Sequence, residues 1–160
     1  MTEDNGRQEK GGEPGRIMPT VWLLVALVAA AVLHFLLPEP RVIPPWWNLL
    51  GVVPLSLGVA INLVADRAFH RAGTPVRPFE ESTVLVTSGV FRVTRNPMYL
   101  GFVLMVLGVA VLMRSLLSFA VVPVLAVLLD RMYIAVEERM LATRFGNDWQ
   151  EYRRRVRRWV

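Results

Sequence analysis

The chain has 160 residues, 54% of them apolar, with a formal charge of +5, two histidines and no cysteine. That length suits one compact unit and leaves no room for a separate soluble domain of ordinary size. The missing cysteines exclude disulfides, thiolate metal sites and cysteine nucleophiles, and His34 and His70 are too few and too far apart for a metal site, so none is expected.

Residues 1–16 are rich in glycine and charge without an apolar period, which predicts a disordered cytoplasmic N-terminus ahead of one membrane domain over 17–160. Four apolar runs follow, at 20–37, 46–65, 97–113 and 116–135. A hydrocarbon core asks for roughly 20 apolar residues per helix, so the fold class is an all-α membrane protein with four transmembrane helices. The first run stops at Pro38, and Trp46 and Trp47 open the second where aromatic rings anchor at a headgroup boundary. Gly51, Gly58 and Ala65 recur every seven residues, as do Gly101 and Gly108. Two helical turns separate each pair, so each set lines one face for close helix packing.

The middle loop, 66–96, holds Gly73, Pro75 and Pro78, then a β-favouring stretch at 83–87 and a turn at Ser88 and Gly89. A loop this long in so small a protein is functional, and its valines predict an ordered segment at the membrane surface. The turn at 113–115 is so short that the third and fourth helices must form an antiparallel hairpin. Beyond the fourth, helix continues over 136–160 through Glu137, Glu138, Leu141 and Phe145, with Gly146 as a stop and a second amphipathic piece from Asp148. Arg153, Arg154, Arg155, Arg157 and Arg158, beside Trp149, Tyr152 and Trp159, predict an interfacial helix against anionic lipid.

Basic residues orient the bundle. Three precede the first run, five lie in the middle loop and eight lie from Arg131 onward, whereas the two short connections hold only Arg41 and Arg114. Basic loops stay cytoplasmic, so both termini face the cytosol. The positive charge is then accounted for by topology and anionic headgroups, and nucleic acid is not expected as a partner. Seventeen arginines against one lysine is the usage of a GC-rich bacterium, which makes the expected location an inner membrane.

With that orientation the hairpin brings 95–101 close to Glu137 and Glu138 where lipid meets cytosol, a place that can take one reactant from each phase. Two carboxylates just outside a span can hold an ammonium or another cation, or simply pair with Arg131, Arg139 or Arg144 on a solvated surface. Tyr99 suits a belt aromatic or a stacking partner for a base or cation. Asp130 and Arg131 mark the interface, Asn62 can hydrogen-bond across helices, and His34 is a packing residue.

The run LVTSGVFRVTRNPMYLG at 85–101, followed by Glu137 and Glu138, Phe145 with Gly146, and the closing Trp149, Tyr152 and Val156, resembles the isoprenylcysteine carboxyl methyltransferase and phospholipid methyltransferase superfamily. Its members are integral membrane enzymes that use S-adenosylmethionine, and the resemblance runs from about Asp66 to the C-terminus. It implies a cytoplasmic cofactor site formed by the middle loop, the hairpin and the C-terminal extension. The family's arginine-histidine-proline-x-tyrosine run falls on 95–99, with Asn96 in place of the histidine. Implied cofactor contacts are Asn96, Pro97, Met98 and Tyr99, with Thr83, Val84, Leu85, Val86 and Phe91 upstream. Glu137 would hold the cofactor's amino group, or Glu138 if the register slips by one. Phe91 stands where a tyrosine is common, and Tyr133 where the family carries an arginine facing the acceptor's carboxylate. Arg131 is the nearest substitute, so Arg131 and Tyr99 are the implied catalytic pair.

The resemblance thus implies an S-adenosylmethionine-dependent methyltransferase acting on a lipophilic acceptor from the bilayer, such as an isoprenylcysteine-like carboxylate. A carboxylate needs no base, whereas an ammonium must first lose a proton, and Asn96 cannot titrate. Rival readings are a phospholipid amine N-methyltransferase, an NADPH-dependent sterol-type reductase, and a lipid-binding membrane protein without turnover. The orientation has its own test. A reporter fused after Val160 is expected to read cytoplasmic and one inserted at Glu39 external; the opposite pair of signals would overturn it.

Overall fold

The computed structural model describes residues 17–37, 43–73 and 84–160. The expectations for 1–16, for 38–42 and for Thr83 lie outside the described residues. Within them the chain is helical and holds no strand. Helix α1 covers Pro19–Leu36 and starts with proline in its first turn, where a missing N–H costs nothing. A 3₁₀ turn, Trp47–Gly51, leads into α2, Val52–Ala72. Helix α3 is Pro97–Met113, again with proline in the first turn. Arg114, at φ 61°, turns the chain into α4, Leu116–Leu129, whose cap Ser115 accepts the Ser118 N–H through Oγ at 3.0 Å. A π turn, Asp130–Ile134, joins α4 to α5, Ala135–Arg155, which kinks at Gly146 (φ 46°, ψ −113°).

Three apolar helical stretches, Pro19–Leu36, Trp47–Ala72 and Leu116–Arg155, are long enough to cross a bilayer, and α3 is a shorter apolar helix of 17 residues. At 1.5 Å per residue α3 is about 26 Å long. Helix α2 runs to Ala72, past the expected end at 65, because Asp66, Arg67, His70 and Arg71 leave the apolar run without leaving the helix. Asp66 and His70 face each other one turn apart at 3.6 Å, and Gly73 in the left-handed region (φ 64°) provides the stop.

Helix α3 is the centre of the bundle, packing against α2 along one side and α1 and α4 along others. The α2–α3 contact is set by glycine. A Cβ on Gly58 would lie 2.5 Å from the Gly101 carbonyl oxygen, and one on Gly51 equally close to that of Gly108. Such backbone contact supplies the dispersion that holds helices together where lipid removes the hydrophobic drive. Asn62 sits over Gly101, but its Nδ2 donates to Gly58 O at 3.0 Å in its own helix rather than across to α3. Helix α1 is tied to α4 by the Ser118 hydroxyl, which donates to Ala30 O at 2.9 Å. Val106, Leu129 and Ile134 are fully buried between these helices.

One expectation is corrected outside the bundle. The β-favouring stretch stays irregular over 84–87, in keeping with the all-helical fold. Leu85 instead packs on Trp149, Tyr152 and Val156. Those aromatics therefore face protein rather than headgroups. Trp149 is 2% exposed, and the Tyr152 hydroxyl donates to Phe91 O at 2.7 Å. Arg153, Arg154, Arg155 and Arg157 keep the outer face.

Replacing Gly58 by Ala should force α2 and α3 apart, at a cost of about 1–3 kcal/mol by overpacking. The thermal unfolding midpoint in detergent should fall; an unchanged midpoint would refute the close contact.

Candidate functional site

Asn96 precedes α3 with φ −128° and ψ 59°, and Pro97 then commits the chain to helix. Residues 97–99 thus open the first turn of α3, with Asn96 at its cap. They lie at the end of the bundle where α1 and α3 begin and where α2 and α4 finish. A cleft of about 250 Å³ opens there, near the lower bound of small-ligand sites. Of the residues expected at a cofactor site, Phe91, Asn96, Pro97, Met98, Tyr99 and Glu137 line it together. Arg95, the first residue of the 95–99 motif, also lines it, and the rest of the wall comes from places the sequence did not indicate: Met18, Pro19 and Thr20 at the start of α1, Phe69 near the end of α2, and Phe102 one turn into α3. Phe69 and Phe91 meet edge to face at 5.2 Å on one side.

The polar centre of this cleft is one pair. The Tyr99 hydroxyl donates to Glu137 Oε1 at 2.7 Å. Tyr99 is itself buried, with Phe102 and Tyr133 rings 6.5 and 6.1 Å away. Apolar surroundings disfavour a charged carboxylate, so burial pushes the Glu137 carboxyl up to about 7, against the opposing pull of the Tyr99 hydrogen bond. A carboxylate so placed gains most by meeting a cation, which would restore its charge.

Glu138, one residue on, does something else. It is 8% exposed and lies outside the cleft lining. Arg95 Nη2 reaches its Oε1 at 3.2 Å, and Arg158 grips it through both Nε, at 3.2 Å, and Nη2. Arg158 Nη1 also reaches both oxygens of Asp130, at 3.2 and 3.3 Å. The Arg95 guanidinium stacks over the Trp149 ring at 5.5 Å. Desolvation pulls the Arg95 pKa down although Glu138 opposes it, and the hydrogen bonds that Arg158 donates to Glu138 raise that of Arg158. The wide π turn just upstream offsets the helix register, and the neighbouring glutamates face different partners: Glu137 the cleft, Glu138 the arginines.

The other expected residues fall elsewhere. Val84, Leu85 and Val86 are not in the lining; Val84 is exposed and Leu85 belongs to the Trp149 cluster. Arg131 is not brought to the cleft. Its side chain is 83% exposed and lies 4.0 Å from Asp130, because the π turn points it outward while Tyr133 and Ile134 turn in. Tyr133 donates its hydroxyl to Ile17 O, which holds the start of α1 beside the cleft. The Asn96 amide nitrogen donates to Arg158 O at 3.0 Å, so the side chain is anchored to the C-terminal tail as well as facing the cleft. Sequence reasoning missed Arg158. The only signal was its place in an arginine run, which topology alone already explained.

Known proteins resemble this chain in sequence and in fold. The family profile described as phospholipid methyltransferase matches residues 46–148. Protein-S-isoprenylcysteine O-methyltransferase B of Arabidopsis thaliana is 33% identical over 117 residues, covering 69% of this chain and 58% of that protein. The probable protein-S-isoprenylcysteine O-methyltransferase of Oryza sativa subsp. indica is 29% identical over 109 residues, 67% of this chain and 57% of its own. The chain thus spans a little under three-fifths of these curated relatives' length. The solved structure of the eukaryotic intramembrane Ras methyltransferase ICMT (isoprenylcysteine carboxyl methyltransferase) shares the fold, with a TM-score of 0.66 at 23% identity over 88% of this chain and 51% of that one. With its profile match extending from the start of α2 into α5, this chain belongs to the phospholipid methyltransferase family.

Proposed function

We propose that the chain is an S-adenosylmethionine-dependent methyltransferase with four spans in a bacterial inner membrane and both ends in the cytosol. Its acceptor would be a lipophilic carboxylate of the isoprenylcysteine type, drawn from the bilayer. The observation that carries this reading is the Tyr99–Glu137 pair at 2.7 Å inside a cleft walled mainly by phenylalanines, methionines and prolines, with Thr20, Arg95 and Asn96 also in its lining. Such a site fits a cofactor with an ammonium, a sulfonium and an aromatic base. S-adenosylmethionine supplies, when bound, a methyl group already activated for displacement. The chain's own residues then have to bind, align and keep water out. Glu137 would take the amino group, with Tyr99 holding the carboxylate in place. Pro97, Met98 and Phe91 would line the cofactor, and Phe69, Phe102 and the start of α1 would exclude water. Alignment of this kind contributes on the order of 7–11 kcal/mol to a two-substrate reaction.

A second reading has one observation in its favour. Arg131 is 83% exposed on its side chain and away from the cleft, so the expected partner for an acceptor carboxylate is missing. Glu137, pushed up to about 7, has the proton affinity to take a proton from an amine acceptor instead. Transfer of labelled methyl to a prenylcysteine rather than to an ethanolamine lipid would favour the first reading; the converse would favour the second.

Calorimetric titration of the detergent-purified chain with S-adenosylmethionine should show binding that Glu137→Gln weakens at least tenfold and Tyr99→Phe weakens less. No binding, or NADPH binding in its place, would overturn the methyltransferase reading. The pH dependence has a definite sign. The cation needs ionised Glu137, so affinity should rise about tenfold from pH 6 to pH 8 and level off above 7, and Glu137→Gln should flatten the profile. In the free chain the sign reverses, because a folded-state value above the ordinary 4.5 favours the protonated form. That contribution to stability is full below 4.5 and lost as pH rises through 7.

A further inference from the structure

The residues that lead into α3 are held by the far end of the chain. The Thr94 hydroxyl donates to Arg158 O at 3.2 Å, and the Asn96 side-chain amide donates to the same oxygen at 3.0 Å. The Arg95 N–H donates to Arg157 O at 3.0 Å. Three consecutive residues at the cleft's entrance are therefore strapped down by the tail that follows α5. Asn96 offers no side-chain cap to α3, and the other holds on this stretch are local or through Arg95, which meets Glu138 and stacks on Trp149.

The strap's main polar fastening is the Arg158 side chain. Arg158 meets Glu138 in the first turn of α5 and Asp130 in the π turn, while its own carbonyl takes the Thr94 and Asn96 donors. It thereby joins the segment carrying Glu137 to the segment carrying Tyr99. Trp159, next in the chain, packs on the main core and gives the strap a second hold.

We propose that Arg158 is the positioning residue of this site: tail docking sets the spacing between Tyr99 and Glu137, and ligand binding and docking favour each other. The inference rests on the cleft being the cofactor site, as proposed above. Coupling between two equilibria is reciprocal, so a ligand that needs the docked tail must also slow its release. The tail reports its own release, because the bonds after Arg155 and Arg157 are trypsin sites.

The test uses the full chain with S-adenosylhomocysteine as probe. Arg158→Ala should raise its dissociation constant about tenfold, within the usual range of coupling between sites. Arg158→Lys should recover part of the loss, and Arg154→Ala, an exposed arginine on the outer face, none to begin with. Saturating probe should slow tryptic cleavage after Arg155 and Arg157 several-fold in the unsubstituted chain. A tail that only stabilises the fold would lower the unfolding midpoint in Arg158→Ala without a change in affinity, and without protection from trypsin. That outcome would overturn the inference. Should Arg158→Ala fail to fold, Arg158→Lys carries the comparison. If the unsubstituted chain binds no probe, the cofactor reading fails by itself, and amide exchange over 94–99 decides the positioning role: faster exchange in Arg158→Lys supports it, unchanged exchange refutes it.

Discussion

A carboxylate removed from water has to be neutralised, and at this end of the bundle that carboxylate is Glu138. Its side chain is 10% exposed and that of its partner Arg95 8%. Removing one member of so enclosed a pair costs about 3–5 kcal/mol, because the other is left charged and unsolvated. Arg158 is more open, at 35%, so solvent screens its share of the contact. Together the three groups tie the loop before α3, the first turn of α5 and the C-terminal tail into one block. The cleft is the space that this block leaves beside α1 and α2.

The consequence is a division between adjacent glutamates. Glu138 is held by two arginines and lies outside the cleft. Glu137 has one hydroxyl partner and apolar walls, so its charge is the quantity a ligand can change. Low dielectric strengthens any cation it meets, since the interaction is not shared with water. Placing such a group at the end of membrane-crossing helices lets a charged molecule approach from one side and a lipophilic one from the other. That is the arrangement the proposed methyl transfer would use.

Much of this was legible in the residues. Glycines seven apart on two runs announced the α2–α3 contact, and the short turn at 113–115 announced the hairpin that brings Tyr99 to Glu137. The motif at 95–99 marked the cleft's main wall. What could not be read has physical reasons. The choice between Glu137 and Glu138 depends on a π turn, and no residue pattern specifies one. The same turn sends Arg131 outward. Trp149 and Tyr152 form an aromatic stripe that would serve equally against headgroups or protein, and only the docking of Leu85 decides it. Phe69 and the start of α1 join the wall through packing between distant segments, which spacing along the chain does not encode. Arg158 was hidden for a different reason: one arginine among many at a basic terminus carries no mark of being buried against acids.

The most direct measurement is a structure of the chain in lipid nanodiscs with S-adenosylhomocysteine bound. The account requires the ligand's amino group within hydrogen-bond distance of Glu137, beside Tyr99, with Glu138 still held by Arg95 and Arg158. A ligand whose amino group sits on Glu138, or whose site lies away from the first turn of α3, would contradict it.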